Sequence, residues 1–532
     1  MKIVNKSGSA ILVSDINLLI PYDASKSKVV DVSNEVTERS NEFKSLLNKG
    51  VLSTVVDNAP LLSPRIDLPK KIQENPKINP HADIIDTSMN PTQDEIEEEK
   101  WKKKFFVNDD HSPEHRDPFF KKENKKTKFI HTYSKPPERK KYNSLEKYKK
   151  TGIMDVDWCG PATDYGGYAL MNRSCIFGLD KKKDINIKYQ LMPSMNDLDD
   201  FTYKRLVEME NREVGSKCIK IYGMTAPQAA YGDDYKIFYT MMETFGIHKQ
   251  YADRCTLCNE IWLPTQFCID QFINSGVKTP IIKMPLGIDT NIYKKENVKN
   301  VELSVTLKDF VFISVFGWSY RKGYDILLKA FCEEFTSKDN VSLLISSRFY
   351  GSTEDAKKDR IREDTKKVVN QCENRDLPHV VLFGDCLPDQ LMPSLYAKAN
   401  CFVLPSRGEG FGLPFLEAAA MGLPVIASNV TGQTEFLRAD NAYLLEAESM
   451  FEADKRMTWI SHFYEGMKFP EFGPKTIEKA RQYMREIYSN YPKAQKKAKI
   501  LQKLALTEYT WENAVNRVYD RIKQIYERQS NK

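Results

Sequence analysis

Two carboxylates, Glu409 and Glu417, lie at the two ends of a short glycine-rich segment, and this pattern is the strongest chemical signal in the chain of 532 residues. The apolar run at residues 401–404 comes before the segment and predicts a buried parallel strand. Leu413 and Pro414 predict the start of a helix, because proline is well tolerated at the first helical position. Free N–H groups at a helix start can bind phosphate oxygens, so we expect a diphosphate cradle with a hydroxyl-binding carboxylate at each end. The residues expected to line this cradle are Gly410, Phe411, Gly412 and Leu413.

The spacing of the two carboxylates helps to separate two kinds of sugar chemistry. Their separation in sequence corresponds to about 12 Å of helix at 1.5 Å per residue. Glycosidases that use two carboxylates hold them roughly 5 to 9.5 Å apart. A sugar–diphosphate–ribose ligand is longer, and its polyol ends lie about as far apart as these carboxylates. The pattern therefore favours transfer from a nucleotide-diphosphate sugar over hydrolysis.

Two adjacent cations, Arg321 and Lys322, follow a second buried run at residues 310–315 and precede a helical pattern at residues 325–335. We expect them to meet the same diphosphate, because fixed cations would stabilise the negative charge that grows on a leaving diphosphate. No D-x-D pair is convincing as a metal site. The sequence therefore predicts no metal and no cofactor apart from the nucleotide-sugar donor itself.

The string from Glu409 to Glu417 resembles the E-x7-E motif of the retaining nucleotide-sugar glycosyltransferases of family 4. The letters Glu-Gly-Phe-Gly-Leu-Pro at 409–414 and Ala-Met-Gly-Leu-Pro-Val-Ile-Ala-Ser at 420–428 add to the resemblance, which covers roughly residues 152–532. It implies an α/β protein of the GT-B fold, in which two Rossmann-like domains face each other across a cleft. It also implies metal-independent transfer of a hexose with retention of anomeric configuration, to a glycan, protein or small-molecule acceptor.

The resemblance implies roles for residues outside the motif. Gly166 and Gly167 lie in a segment that resembles the family's N-terminal glycine loop, which lies beside the donor phosphates and the acceptor. Glu243 ends a predicted strand where relatives carry a sugar-facing histidine or acidic residue, and a surface carboxylate is the alternative. Gly384 lies at the end of a predicted strand whose following loop usually holds the nucleotide base. Trp318 stands where many relatives have an arginine, which leaves open whether Arg321 reaches the phosphate or solvent.

Composition and the family resemblance together divide the chain into five predicted parts. Residues 1–57 resemble small virion-associated modules of tailed phages, and a generic docking or oligomerisation module of α+β type is the alternative. This module offers a site for a protein partner or for self-association. Composition predicts a charged, mostly disordered linker at 58–150. The family resemblance implies the other parts, which are a first (acceptor) Rossmann-like domain at 151–295, a second (donor) Rossmann-like domain at 296–490, and C-terminal helices at 491–532 that pack back on the first domain.

The charge distribution argues against nucleic acid as a partner. The net charge is +6, but residues 101–150 alone carry +9, so the rest of the chain carries −3. Aromatic residues among those lysines leave partner or nucleic-acid binding by the linker as an alternative. No run of about 18 apolar residues appears, so we expect no membrane span. The scattered cysteines and the absence of a signal-peptide pattern predict a cytoplasmic protein.

Two rival functions remain open from the sequence. One is an enzyme of the same fold with a different type of acceptor, such as a phosphorylated sugar. The other is a non-catalytic structural or tethering protein that retains the GT-B fold.

Overall fold

A computed structural model describes two compact units, which comprise residues Met1–Pro76 and Lys77–Lys532. In the first unit the described residues are short strands only, and in the second they are one two-residue strand and most of residues 142–531. The gaps in this last range are 191–197, 226–232, 302, 304, 349–353, 385–386, 455 and 458–463, and only the backbone is described for 200, 348 and 354–359. The predicted helix at residues 34–48 lies outside the described residues.

The described residues of the first unit form five short strands, which make up two antiparallel sheets. In chain order they are Lys2–Asn5, Ile11–Val13, Leu18–Ile20, Val30–Asp31 and Leu52–Thr54. The first strand pairs with the fourth and the fifth, and the second pairs with the third. Strands predicted at residues 10–13 and 29–32 coincide with the second and the fourth.

The second unit contains two parallel sheets, and the first of them has six strands in the order β2-β1-β3-β4-β5-β6. These strands are β1 (Met154–Cys159), β2 (Ile185–Gln190), β3 (Ile219–Gly223), β4 (Tyr235–Tyr239), β5 (Glu260–Leu263) and β6 (Ile281–Lys283). Every residue of β1 and β5 is buried, as expected for parallel strands that helices cover on both faces.

Five helices belong to the first domain, and side-chain caps fix the start of several of them. They are α1 (Ser144–Thr151), α2 (Gly167–Leu179), α3 (Asp200–Glu210), α4 (Lys249–Cys255) and α5 (Gln266–Asn274). Thr265 accepts the Cys268 N–H at 3.1 Å, as its position before α5 predicts. Helix α1 lies inside the segment whose composition predicts a mostly disordered linker. The ordered first domain therefore begins before Gly152, the residue at which the sequence places its start.

The second sheet has seven strands, of which six are parallel, in the order β12-β11-β10-β7-β8-β9. A seventh strand, Ile85–Asp86, pairs antiparallel with β9 and is a second ordered piece within the predicted linker. The six parallel strands are β7 (Phe310–Gly317), β8 (Val341–Arg348), β9 (His379–Phe383), β10 (Cys401–Leu404), β11 (Val425–Ser428) and β12 (Tyr443–Leu445). A separate antiparallel pair comprises β13 (Ser449–Glu452) and β14 (Lys468–Glu471). The two parallel sheets confirm the predicted pair of Rossmann-like domains.

The remaining helices end with one that returns to the first domain. They are α6 (Tyr324–Glu334), α7 (Glu354–Val369), α8 (Met392–Tyr396), α9 (Leu413–Ala420), α10 (Pro474–Ser489), α11 (Tyr491–Thr507) and α12 (Trp511–Ser530). Helix α12 packs on α1 and α2, and the hydroxyl of its Tyr526 donates to the Asp155 carbonyl of β1 at 2.7 Å.

Two of the places where the chain crosses between the two domains contact each other. Ile288 donates its N–H to the Tyr509 carbonyl at 2.9 Å, and Trp511 donates its own to the Ile288 carbonyl at 2.9 Å. Gly287 lies so close to Thr510 that a Cβ at this position would be 2.2 Å from the Thr510 carbonyl carbon. This pairing joins the end of the first domain to the start of α12.

Strand order in each sheet identifies where a ligand should bind. Open α/β sheets bind ligands beyond the carboxyl ends of the strands, at the point where the strand order reverses. That point lies between β1 and β3 in the first sheet and between β7 and β10 in the second. The loops after these four strands are therefore the expected walls of a binding site.

Candidate active site

The two loops at the reversal point of the second sheet pack directly on each other. A 3-10 turn, Tyr320–Lys322, follows β7, and Gly323 ends it with a φ of +71°. A Cβ on Gly323 would lie 2.0 Å from the carbonyl oxygen of Pro405, which directly follows β10. Only glycine satisfies both the left-handed backbone and this close approach. The turn that carries both predicted cations is thereby fixed against the loop that carries Glu409.

Lys322 and Glu409 form a buried ion pair at the centre of the site. The Lys322 ammonium lies 2.6 Å from Glu409 Oε1 and 2.8 Å from Oε2. Burial, helped by the nearby Arg321, lowers the pKa of Lys322 in spite of the opposing effect of Glu409. Burial alone would raise the pKa of Glu409, but Lys322 and Arg321 hold it below its ordinary value. Glu409 is therefore an anion at neutral pH, held between two cations.

Arg321 connects this pair to the first domain. Its Nη1 donates to the Gly408 carbonyl, and its Nη2 lies 3.5 Å from Glu243 Oε1. Burial alone would lower the pKa of Arg321, but Glu243, Tyr464 and Glu409 raise it. The buried Nε of Arg321 has no hydrogen-bond partner among the described residues. The guanidinium thus keeps a buried donor for a further acceptor.

Tyr464 is a member of this cluster that the sequence motifs do not indicate. Its side chain is almost fully buried and forms a hydrogen bond with Arg321. Burial, together with Glu243 and Glu409, raises the pKa of its hydroxyl. Tyr464 lies just before β14, far in sequence from both loops, so no local pattern could have pointed to it.

The glycine-rich segment contacts the first domain through its backbone. A Cβ on Gly408 would lie 2.3 Å from the Glu243 carbonyl oxygen, and one on Gly410 would lie 2.5 Å from Met241 Cγ. Gly412 has a φ of +98° and immediately precedes α9, whose start has no side-chain cap. Small residues at these positions therefore let the loop approach the end of β4 and leave N–H groups at the start of α9 without a capping side chain.

The side chain of Phe411, in this loop, is buried and packs on two other aromatic rings. Its ring centroid lies 5.4 Å from that of Phe436 and 5.9 Å from that of Tyr509. Leu413, the first residue of α9, is also buried. Both side chains are buried and anchor the loop.

Glu417 is buried in α9 beside two tyrosine hydroxyls. The Tyr396 hydroxyl donates to Glu417 Oε2 at 2.8 Å, and Tyr293 forms a second hydrogen bond to the carboxyl. Burial raises the pKa of Glu417 to about 7, with a further contribution from Asp389 and against the effect of both tyrosines. The carboxyl is therefore held in one orientation, and its ionisation falls near neutral pH.

The first domain contributes a glycine loop after β1. Gly166 donates its N–H to Asp164 Oδ1 at 2.6 Å, and a Cβ on Gly167, which starts α2, would meet open space. Arg173 of α2 holds this loop by donating to the Ala162 carbonyl at 2.9 Å. Its Nη2 lies 3.5 Å from Asp389 Oδ2 of the second domain.

The structure brings some of the predicted site residues together and leaves others apart. Arg321, Lys322, Glu409 and Glu243 form one contact cluster that spans both domains. Gly384 directly follows β9, where a Cβ would meet open space, and the next two residues lie outside the described part of the chain.

Arg407 is a fully buried residue that motif-based reasoning did not select. Its guanidinium binds both carboxylate oxygens of Asp325, at 2.8 and 2.7 Å, and lies over the Tyr320 ring at 3.8 Å from the centroid. Its position two residues before Glu409 was the one sequence signal available.

The β13–β14 hairpin forms a further contact between the domains. Phe245 donates its N–H to the Lys468 carbonyl at 3.0 Å, and Lys468 donates in return to the Phe245 carbonyl at 3.2 Å. Thr244 contacts Met467 through its hydroxyl, 3.2 Å from the sulfur. The hairpin thus pairs with the residues that directly follow Glu243.

Two features are absent from the described residues. Across the ordered ranges, no group of three or more His, Cys, Asp and Glu side chains is arranged to hold a metal ion. None of the helices described above combines the length and the hydrophobicity needed to cross a bilayer.

Comparisons with known proteins agree with this architecture. The family model of glycosyl transferases group 1 matches residues 308–457, which lie in the second domain. O-antigen chain mannosyltransferase B of Escherichia coli is 57% identical over 49 residues, which are 9% of this chain and 13% of that protein. The GDP-mannose-dependent alpha-(1-6)-phosphatidylinositol monomannoside mannosyltransferase of Mycobacterium tuberculosis is 29% identical over 172 residues, 30% of this chain and 41% of that protein. The chain thus spans less than half the length of these two curated relatives.

Two solved structures show the same arrangement of domains. Anabaena Alr3699/HepE in complex with UDP and glucose aligns with a TM-score of 0.50 at 13% identity, covering 70% of this chain and 100% of that one. Sucrose-phosphate synthase from Thermosynechococcus elongatus aligns with a TM-score of 0.50 at 13% identity, covering 70% and 99%. At this identity the likeness bears on the fold alone, and it confirms the predicted GT-B class.

Proposed function

We propose that the chain is a glycosyltransferase that moves a hexosyl group from a nucleotide-diphosphate sugar to a glycan, protein or small-molecule acceptor, with retention of configuration and without a metal. The observation that carries the proposal is the buried cluster of Arg321, Lys322 and Glu409 at the reversal point of the second sheet, with Glu243 of the first domain against it. The match of the second domain to glycosyl transferases group 1 supports the reaction class.

Binding of the donor would replace contacts that already exist within the site. Lys322 is neutralised by Glu409 in the structure, at 2.6 Å. An entering diphosphate offers Lys322 and the free Nε of Arg321 new anionic acceptors, which releases Glu409 towards the hydroxyls of the sugar. The Lys322–Glu409 pair therefore keeps both side chains placed until a donor arrives.

Transfer would proceed as the bond between the sugar carbon and the phosphate oxygen breaks. Negative charge then grows on the leaving diphosphate, where Arg321, Lys322 and the N–H groups near the start of α9 stabilise it. The acceptor hydroxyl oxygen forms the new bond to the same sugar carbon on the same face, and its proton passes to the leaving phosphate oxygen. Glu243 faces the sugar in this arrangement, and Glu417 binds the ribose hydroxyls.

A panel of UDP-, GDP- and ADP-sugars tests the donor. A ligand that binds only the folded state raises the melting temperature, so one of the three series should stabilise the protein. The stabilising donor is then incubated with candidate acceptors, and NMR of the product gives the anomeric configuration. Full activity in EDTA is expected for a metal-independent enzyme.

The double variant Lys322→Ala/Glu409→Ala tests the site. It should abolish transfer and leave the fold intact, because both partners of the ion pair are removed together and no buried charge is left alone. Lys249→Ala is the matched control, since Lys249 forms an exposed ion pair with Asp253 on helix α4. Retained transfer or donor hydrolysis in the double variant would contradict the assignment.

The location in the cytoplasm and the use of residues 1–57 for a partner or self-association stay predictions from sequence. Fractionation of cells that produce the protein tests the first. Sedimentation of the chain with and without residues 1–57 tests the second.

A further inference from the structure

Arg407 is the largest buried polar side chain near the site, and the proposed chemistry does not use it. The guanidinium is fully buried and pairs with Asp325 in the first turn of α6 through two hydrogen bonds, at 2.8 and 2.7 Å. A third contact joins Nη2 to Glu471 of β14 at 3.5 Å. These partners come from two separate elements, α6 and β14, that flank the turn with the two cations.

Arg407 also binds the backbone of that turn directly. Its Nη1 donates to the Tyr320 carbonyl at 2.8 Å, and its own N–H donates to the Arg321 carbonyl at 2.6 Å. The carbonyls of two successive residues are thus held by one arginine, while the Tyr320 ring stacks on its guanidinium. These hydrogen bonds set the direction in which the side chains of Arg321 and Lys322 point.

We propose that Arg407 is the positioning residue of the diphosphate grip: it locks the turn of Tyr320–Lys322 to the glycine-rich loop, so that both cations address the same two phosphates. This inference rests on the proposed function. Arg407 is fully buried in the loop after β10, so it touches no substrate and acts through Arg321 and Lys322. A planar fork with five donors is needed to bind a carboxylate and a carbonyl at once, and a lysine in this place lacks that geometry.

The distinguishing measurement is the affinity gained from the second phosphate. The dissociation constants of UMP and UDP, GMP and GDP, and AMP and ADP are measured by calorimetry, and the pair that binds is used. A residue that merely stabilises the domain would change both constants of the pair in proportion. A residue that aims the two cations changes the ratio of the constants.

The variants are Arg407→Lys, Arg407→Met and Asp325→Asn, and the matched control is Arg485→Met. Arg485 also binds two carboxylates, Glu334 at 2.7 Å and Asp339 at 2.9 Å, but these contacts lie away from both loops. We expect the ratio of the monophosphate dissociation constant to the diphosphate dissociation constant to fall about 10-fold or more in the three variants of the Arg407 pair, because charge-assisted hydrogen bonds to the second phosphate are lost. The control should keep the wild-type ratio.

Each outcome decides the matter. A wild-type ratio in Arg407→Lys and Asp325→Asn, or a proportional loss of both affinities, overturns the inference while leaving the proposed function in place. Should Arg407→Met fail to fold, the other two variants decide, because they remove the geometry and keep polar groups in the pocket. If the wild-type protein binds no nucleoside diphosphate more tightly than its monophosphate, the proposed function fails first.

Discussion

Replacing Glu417 by glutamine should stabilise the protein at high pH and weaken nucleotide binding. The carboxyl is buried, and burial raises its pKa to about 7. Glutamine keeps an oxygen to accept the hydrogen bond from Tyr396 but cannot ionise, so the cost of a buried charge disappears. The same change removes the acceptor strength that a carboxylate offers to ribose hydroxyls.

The magnitude follows from the two pKa values of the carboxyl. The ordinary value is 4.5 and the value in the folded protein is about 7. Because the folded pKa is the higher one, the stability that this group contributes is fully present below 4.5 and is lost as the pH rises through about 7. At 1.36 kcal/mol per pH unit the full difference is roughly 3 kcal/mol, of which about 2 kcal/mol is lost between about pH 5.5 and about pH 8.5.

Urea unfolding of the wild type and of Glu417→Gln at both pH values provides the assay. When the pH is raised across this window, the free energy of unfolding of the variant should increase by about 2 kcal/mol relative to that of the wild type. Glu508→Gln, at an exposed position, is the control and should gain nothing. An equal pH dependence in wild type and Glu417→Gln would refute the argument, because it would mean that Glu417 titrates normally in the fold.

Three substitutions test other features of the structure. Gly323→Ala should lower the free energy of unfolding by more than about 1 kcal/mol and weaken nucleotide binding, because φ is +71° and a Cβ would clash with the Pro405 carbonyl. Urea unfolding measures the stability and calorimetry measures the binding. Unchanged values in both assays would contradict the tight loop contact. Gly408→Ala should push the glycine-rich loop off Glu243 and abolish transfer while nucleotide binding survives, as calorimetry and product assays would show. Thr265→Ala should cost about 1 kcal/mol of unfolding free energy by removing a helix cap, with transfer unchanged; no loss would mean that the cap is dispensable.

Local sequence signals located the elements on which the motifs lie. The strand at residues 401–404 and the helix start at Leu413 were predicted at the observed residues, because a short apolar run, glycines and a proline each restrict the backbone there. The turn with Arg321 and Lys322 was likewise predicted as a loop between a strand and a helix. These signals need no knowledge of distant partners.

Contacts between distant segments supply what the sequence left out. Tyr464 and Tyr293 reach the site from segments with no recognisable motif, and only the folded chain brings them to Arg321 and Glu417. Helix α1 was missed because its sequence is as lysine-rich as the linker before it. Its stability comes from the buried Asp155, which accepts hydrogen bonds from Ser144 and Lys147, each at 2.7 Å.

The two crossings that touch at Ile288 and Thr510 set the kind of motion open to the cleft. One crossing would act as a tether and allow the domains to swivel freely, whereas two crossings bonded side by side leave rotation about their common line as the easiest movement. Gly287 lies on that line against Thr510, where any larger residue would act as a wedge. Opening to admit a donor is therefore expected to be a pivot about this seam, with the largest travel at the mouth of the cleft.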